Sequence, residues 1–459
     1  MSGLDTLFLN IESGTTYGHV GGLALFESAA EPMGFDDLKT LIDDRLHLVP
    51  ATRRRLVEVP LGLDQPYWIE DPDFDLDFHV RHIALPAPGD DRQLAAQVGR
   101  IMSRPLDRRR PLWELYVIEG LGGGRVAQLT KIHHCAIDGV SGAEILTNIL
   151  GPDPAGRDIP EPATPWRADT EPSEIDMLCR GLLSVARSPL KGARLGAKTF
   201  SNLPAITRYA VGTPSLSRLV SLTGRPSNTL LSEAPSTPPR TSFNTRIGPH
   251  RHLAFTSIPL HDVAIVENTY GVSLDDVVMS MCAGALRTYL DDRDELPDDP
   301  LIAMIPVANM TASLHTHVAD PEARLESIHA SMLIAEETHQ AIPETLLDEA
   351  AQFSPPAVTA RAARVVARAS ARNWVDLPYN VVISNVPGPQ VALFGAGARL
   401  VANYPISAIH DGAGLNIAVQ SYDGNLDVGI VGCRELVPDV SRIADLLHTS
   451  LDELLGEPA

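Results

Sequence analysis

The chain has 459 residues, 44% of them hydrophobic and 21% charged, with a formal net charge of −21. Such a length exceeds one ordinary domain, so two domains are expected. The charge excludes a duplex nucleic-acid binder, which needs a basic footprint for phosphates, and opposes adsorption of the whole surface to anionic lipid.

The start, Met1-Ser2-Gly3-Leu4-Asp5, lacks the basic and apolar regions of a signal peptide. Residues 1–150 then alternate strand and helix signals. Gly18 to Phe26 reads as a strand. Phe35 to Leu48 reads as a helix, with apolar residues Phe35, Leu38, Leu41 and Ile42 on one face. Asp91 to Met102 predicts a second helix. Trp113 to Ile118 and Val126 to Ile132 predict strands on either side of Gly122-Gly123-Gly124, and a helix is expected from Val140 to Leu150.

Composition changes after residue 150. Pro152, Pro154, Pro160, Pro162, Pro165 and Pro172 lie too close together for a helix or a central strand. A mostly helical stretch from Glu174 to Leu222 follows, closed by Pro235, Pro238 and Pro239. The expected division is therefore 1–150, a connector at 151–244, and a second mixed unit at 245–459. In that unit helices are expected at Asp262–Asn268, Leu274–Asp291, Pro321–Glu337, Pro355–Asn373 and Val440–Leu455. Strands are expected at Leu301–Val307, Tyr379–Ser384, Leu415–Ser421 and Leu426–Val431. No apolar run reaches the ~20 residues of a membrane span. Cys135, Cys179, Cys282 and Cys433 form no CxxC pair, which predicts reduced thiols in a cytoplasmic protein.

The chemistry concentrates where the Val126–Ile132 strand runs into His133-His134-Cys135-Ala136-Ile137-Asp138-Gly139. A strand end that delivers polar residues into a glycine turn is a common way to present catalytic groups. One histidine can serve as general base, because its pKa sits near working pH. Asp138 can fix the turn or orient the imidazole, and Gly139 allows backbone geometry that a side chain forbids. His, His and Asp are also metal-ligand types. A third and a fourth ligand at convincing spacing are missing, with His410-Asp411 the only other suggestive pair, so no metal is expected. No GxSxG, Walker A or GxGxxG string occurs. Strand alternation turns Cys135 away from the side that His134 faces, which favours direct transfer without a covalent intermediate.

The same string resembles the HHxxxDG signature of CoA-dependent acyltransferases and peptide-synthetase condensation domains. Arg104-Pro105-Leu106-Asp107 with Pro111-Leu112-Trp113-Glu114 resembles the PLW motif of the bacterial wax ester synthase/diacylglycerol acyltransferase family. Further similar segments are Asp71-Pro72-Asp73-Phe74-Asp75, Thr316-His317-Val318-Ala319-Asp320-Pro321, Ser384-Asn385-Val386-Pro387-Gly388-Pro389 and Tyr404-Pro405-Ile406. The resemblance runs from Leu4 to about Leu455. It implies two chloramphenicol-acetyltransferase-like α/β halves with a tunnel between them. It also implies acyl-CoA as co-substrate, with no bound cofactor, and diacylglycerol or a long-chain alcohol as acceptor. His134 carries over as the base, His133 as its support and Asp138 as the structural partner. Two departures are visible. The second-half Asn-Asp motif falls at Asp275-Asp276, and the stretch before Thr316 is abridged to Ala308-Asn309-Met310-Thr311-Ala312-Ser313-Leu314-His315.

Weaker signals complete the reading. Trp113 is expected to pack in the core. Asn385, Pro387 and Gly388, at an apolar strand end, and Asn416 are expected to line the tunnel. Arg180, Arg187, Lys191, Arg194 and Lys198 share one helical face, a cationic stripe suited to the inner membrane or a lipid droplet, or simply a solvated face. The preferred activity is transfer of a fatty acyl group from acyl-CoA to diacylglycerol or a fatty alcohol. The competing readings are a condensation-like amide-forming enzyme, a lipid-binding scaffold without turnover, supported by the shortened stretch, and a metal-dependent hydrolase.

Overall fold

The computed structural model describes residues 9, 12–28, 33–60, 65–137, 142–157, 159–160, 162, 165–173, 175–180, 238–306, 310–340 and 377–456. Two six-stranded mixed sheets form its frame.

The first sheet contains β1 (His19–Glu27), β4 (Val80–Ala84), β5 (Trp113–Glu119) and β6 (Val126–His133). Two strands from far along the chain, β11 (Phe394–Gly395) and β12 (Ala398–Ile406), complete it in the order β11-β12-β1-β6-β5-β4. Its two faces are separated by strand alternation. Leu23, Leu25, Tyr116, Ile118 and Leu129 pack with Leu94 and Val98 of helix α2 (Asp91–Met102). Ala24, Phe26, Leu115 and Val117 share the opposite core with Leu38 and Ile42 of α1 (Phe35–Arg45). A small hairpin of β2 (Arg54–Val57) and β3 (Tyr67–Glu70) stands beside it, and α3 (Gly142–Ile149) follows the histidine motif.

The second sheet runs β7-β14-β13-β10-β8-β9, with β7 (Arg251–Pro259), β8 (Ile302–Ile305), β9 (Met310–Ser313), β10 (Val381–Val386), β13 (Leu415–Tyr422) and β14 (Asn425–Cys433). One face carries Ile258, Ile417, Val419, Val428, Ile430 and Ile383 against α4 (Leu260–Tyr270), α5 (Leu274–Asp291) and α7 (Val440–Leu455). Helix α6 (Pro321–Gln340) contributes Leu325 and Ile328 to the same core. The other face turns toward β12, which packs across β13 and β14.

Helices α2 and α5 begin and end where the sequence predicts. Each opens on a capping box, Asp90 with Gln93 and Ser273 with Asp276. The helix expected to reach Leu48 ends at Arg45 and tightens into a 3₁₀ turn, Leu46–Leu48. The strand expected over Leu301–Val307 shortens to Ile302–Ile305 and pairs with β9, formed by the abridged stretch. The helix expected at Pro355–Asn373 lies outside the described residues.

Strand β12 has no counterpart among the predicted elements. Its Pro405 lacks an N–H and argues against a strand with two neighbours. Here β12 pairs with β1 on one side, and β11 reaches only Arg399 and Ala398 on the other. Among the described residues, Pro405 therefore sits on a free edge. That edge lies on the second sheet at Gly429, where a Cβ would stand 1.8 Å from the Pro405 carbonyl oxygen. The backbone N–H of Asn403 donates to Asp427 Oδ2 at 2.6 Å, and its side-chain amide donates to Gln420 Oε1 at 2.5 Å. A second junction joins α2 to β7, with the Arg251 N–H donating to Ser103 Oγ at 2.8 Å.

Candidate active site

Strand β6 ends at His133, and the chain passes at once into a 3₁₀ turn, His134–Ala136. Alternation sends the two histidines apart. His133 follows Leu129 and Lys131 to the α2 side and is 1% exposed, whereas His134 is exposed.

His133 is held on three sides. Its Nδ1 accepts the Cys135 N–H at 3.2 Å, and its Nε2 lies 3.3 Å from Glu12 Oε1. Gly18 backs the ring so closely that a Cβ there would stand 2.4 Å from Nε2. Because Nδ1 accepts, a neutral ring carries its proton on Nε2, facing the carboxylate. Glu12 has further partners. Oε1 accepts the Gly18 N–H at 2.8 Å, and Oε2 accepts from Arg108 Nε at 3.1 Å and Nη2 at 2.5 Å. Burial alone would push the Glu12 carboxyl up, but His133, the Gly18 N–H and Arg108 together hold it at about 2. The His134 N–H donates to the Gly18 carbonyl at 2.9 Å, so the same glycine anchors both ends of this arrangement.

His19 stands opposite His133 on β1. Its Nε2 contacts the Met102 carbonyl at 2.9 Å, and burial, joined by the Lys131 charge, pushes its pKa down to about 3. The imidazole is therefore neutral and structural at working pH. Tyr17 stacks on it at 5.3 Å, and the Arg251 guanidinium lies 4.9 Å from the Tyr17 ring centroid. Tyr17, His19, Met102, Arg251 and Ser407 line a crevice where the two sheets meet.

The Pro-Leu-Trp-Glu segment supports the strand from below. Glu114 is the β5 partner of Lys131, whose Nζ lies 3.7 Å from Glu114 Oε2 with no exposure to solvent. Tyr116 donates to the same oxygen at 2.8 Å, and Arg81 donates to Oε1 at 3.1 Å. Burial pulls the Lys131 pKa down to about 8, against the raising effect of Glu114. Trp113 donates to the Thr52 carbonyl at 2.7 Å and stacks on His79 at 4.5 Å, a core residue as expected.

The remaining site candidates do not converge. Asn416, near the start of β13, donates to the Ala408 carbonyl at 3.2 Å, and its buried Oδ1 has no hydrogen-bond partner among the described residues. This end of the second sheet adjoins the histidine end of the first, because β7 and β14 meet there at Arg251 and Cys433, and Arg251 donates to the Thr15 carbonyl. Asn385, Pro387 and Gly388 lie at the far end of the β10–β13 pair. Asn385 is opposite Val419, on the face that packs α5, and donates to Asp275 Oδ1 at 2.7 Å. The Gly388 N–H donates to Ser421 Oγ at 3.1 Å, and Pro387 is exposed. Cys135 is buried in the core with Trp113 and Ile132. Asp138, Gly139, Arg187, Lys191, Arg194 and Lys198 lie outside the described residues, while Arg180 is exposed. Among the described residues, no group of three or more His, Cys, Asp or Glu could hold a metal. No helix among them is long and apolar enough to cross a membrane.

Sequence reasoning missed Glu12, Gly18, His19 and Arg108. The pairing of β1 with β6 sets His19, and Gly18 just before it, beside His133, while Glu12, ahead of β1, and Arg108, on the segment before β5, reach the site from flanking loops.

Comparison with known proteins finds relatives similar along nearly the whole chain. Residues 1–278 match the model of the wax ester synthase/diacylglycerol acyltransferase catalytic domain, and residues 306–455 match the C-terminal domain of the same family. A putative diacylglycerol O-acyltransferase of Mycobacterium tuberculosis is 38% identical over 476 residues, 99% of each chain. A probable diacylglycerol O-acyltransferase of the same organism is 36% identical, covering 98% of this chain and 97% of the relative. The solved wax ester synthase/diacylglycerol acyltransferase of Marinobacter aquaeolei superposes with a TM-score of 0.70 at 32% identity, covering 98% of this chain and 97% of that one. A condensation domain of the calcium-dependent antibiotic synthetase shares the fold at a TM-score of 0.54 and 14% identity. The chain belongs to the wax ester synthase/diacylglycerol acyltransferase family of acyltransferases.

Proposed function

We propose that the protein transfers a long-chain acyl group from acyl-CoA to diacylglycerol, with fatty alcohols as a second acceptor class. The observation that carries the reading is the divergence of the two motif histidines. His133 is buried against Glu12, and His134 is exposed at the end of β6 where the sheets adjoin. The naming of relatives as diacylglycerol O-acyltransferases supports the choice of acceptor.

In the proposed reaction His134 takes the acceptor's hydroxyl proton as oxygen attacks the thioester carbonyl. The tetrahedral intermediate collapses with cleavage of the C–S bond, and the imidazolium returns the proton to the departing thiolate. Base catalysis of this kind contributes roughly 10²–10⁴-fold, with positioning supplying much of the rest. Cys135, buried in the core, takes no part. Asp138 is assigned to hold the turn after His134, with Gly139 permitting that turn. Asn416 Oδ1 is assigned to accept a substrate N–H or O–H at the near end of the passage, and Pro387 and Gly388 to its far mouth. Asn385 there holds the start of α5. The stripe of Arg180, Arg187, Lys191, Arg194 and Lys198 is assigned to a lipid surface, where each basic residue is worth about 1 kcal/mol.

The test is release of free thiol from palmitoyl-CoA across an acceptor panel. Diacylglycerol should raise turnover strongly, fatty alcohols should do so as well, and amines or short polar alcohols should do little. Equal stimulation by amines would instead favour an amide-forming enzyme.

A further inference from the structure

We infer that Glu12 is a positioning residue for the base, resting on the reading of His134 given above. One carboxylate controls both strands that frame the catalytic turn. Through Oε1 it accepts the Gly18 N–H at 2.8 Å and stands 3.3 Å from His133 Nε2, a close contact without hydrogen-bond geometry. Gly18 in turn accepts the backbone N–H of His134 at 2.9 Å. His133 is the covalent neighbour of His134, and its Nδ1 accepts the N–H of Cys135 on the other side of the base. His134 is thus fixed by its own N–H, by the residue before it and by the residue after it, and each of these constraints leads back to Glu12.

The carboxylate must be ionised and oriented to do this. Arg108 fixes its orientation by gripping Oε2 through two donors and by donating to the Leu9 carbonyl at 2.6 Å. The groups around Glu12 keep it charged despite burial, since its carboxyl is held at about 2. Gly18 leaves no slack, because any side chain there would collide with the His133 ring. The clamp lies behind the turn, on the α2 side of the sheet, whereas His134 is exposed, so Glu12 acts through other residues and not on substrate.

The role separates from mere stabilisation by its kinetic signature. Removing a group that only orients a base lowers kcat with little change in KM, whereas lost substrate contact raises KM. Removing the negative charge also leaves the Arg108 cation balanced only by the exposed Glu58 carboxylate at 3.6 Å, which disfavours imidazolium at the histidine pair and moves the acid limb of the pH–rate profile to lower pH.

The experiment compares Glu12→Gln, Glu12→Ala and wild type in the thiol-release assay with diacylglycerol across pH, alongside melting temperature and crystal structures of the variants. Glu12→Gln keeps an acceptor for Gly18 and loses the charge. Its kcat should fall about tenfold and that of Glu12→Ala up to about 100-fold, with KM for acyl-CoA within about twofold. The acid limb should move down in Glu12→Gln, and the crystals should show the His133 ring and the His134–Gly18 bond displaced. Folded variants that keep kcat within about twofold and leave His134 unmoved would overturn the proposal. So would activity lost only in proportion to unfolding, with an unchanged pH profile. If wild type transfers no acyl group at all, the functional reading fails, and the crystal structures still decide whether Glu12 positions His134.

Discussion

The Asp427 carboxylate accepts the backbone N–H of Asn403 at 2.6 Å, and this bond fastens the free edge of β12 to the face of the second sheet. Strand β12 belongs to the first sheet by its pairing with β1, although it comes from the later part of the chain. One buried carboxylate therefore joins the sheet that carries the histidines to the sheet that carries Asn416. Its other oxygen accepts from Ser257 at 2.6 Å.

Asp427→Ala leaves the Asn403 N–H without its acceptor, whereas the Ser257 hydroxyl keeps Tyr404 Oη as a partner at 3.1 Å. One buried N–H deprived of an acceptor should cost about 1–3 kcal/mol, visible as a lower denaturant midpoint. Asp427→Asn keeps an acceptor oxygen and should lose less. Burial raises the carboxyl's pKa against the two donors that lower it, so its ionisation costs stability. The folded state holds the proton more tightly than the unfolded one. This group's contribution is therefore full below its ordinary value of 3.8 and declines as pH rises through the raised value. Equal midpoints for wild type and Asp427→Ala would show that the junction does not depend on this bond.

Glu12 has the opposite sign. Its folded pKa of about 2 lies below the ordinary 4.5, so its contribution is present above 4.5 and is lost as pH falls toward about 2. A difference of that size corresponds to about 3 kcal/mol. Urea unfolding of wild type and Glu12→Gln should show a gap of that order at pH 7, narrowing as pH falls below 4.5. A gap independent of pH would mean that the Glu12 charge, paired with Arg108, does not stabilise the fold.

The buried pair beneath the motif allows a third test. Lys131 is wholly buried, and Glu114 is its counter-charge. Glu114→Ala should cost about 3–5 kcal/mol, because it leaves an uncompensated charge in the core. Replacing both residues by apolar ones of similar volume should cost much less. If Glu114→Ala is as stable as wild type by urea unfolding, Lys131 is neutral in the folded protein.

Much of this architecture was legible in the chain. Helices α2 and α5 announce themselves through capping boxes and apolar spacing, and β5 and β6 through apolar runs around a glycine turn. The His133-His134 pair marks the site, because adjacent polar residues at a strand end must point opposite ways. Strand β12 was hidden by Pro405, which reads as a strand breaker until the free edge is known. Glu12 was hidden because it lies 121 positions before His133 and outside β1, held beside the strand end by the Gly18 N–H. Asn385 shows the converse failure. Its apolar strand suggested a lining residue, yet parity with Val419 places it on the α5 side, bonded to Asp275.

The central claim is acyl transfer to a hydroxyl with His134 as base. Its most direct test is the ratio of free CoA thiol to triacylglycerol formed from palmitoyl-CoA and diacylglycerol, in wild type and His134→Ala. The account predicts one triacylglycerol per thiol in wild type. It predicts a loss of both products of roughly 10²–10⁴-fold in His134→Ala, with an unchanged melting temperature. Thiol released at the same rate with and without diacylglycerol, or a loss below about tenfold in His134→Ala, would contradict it.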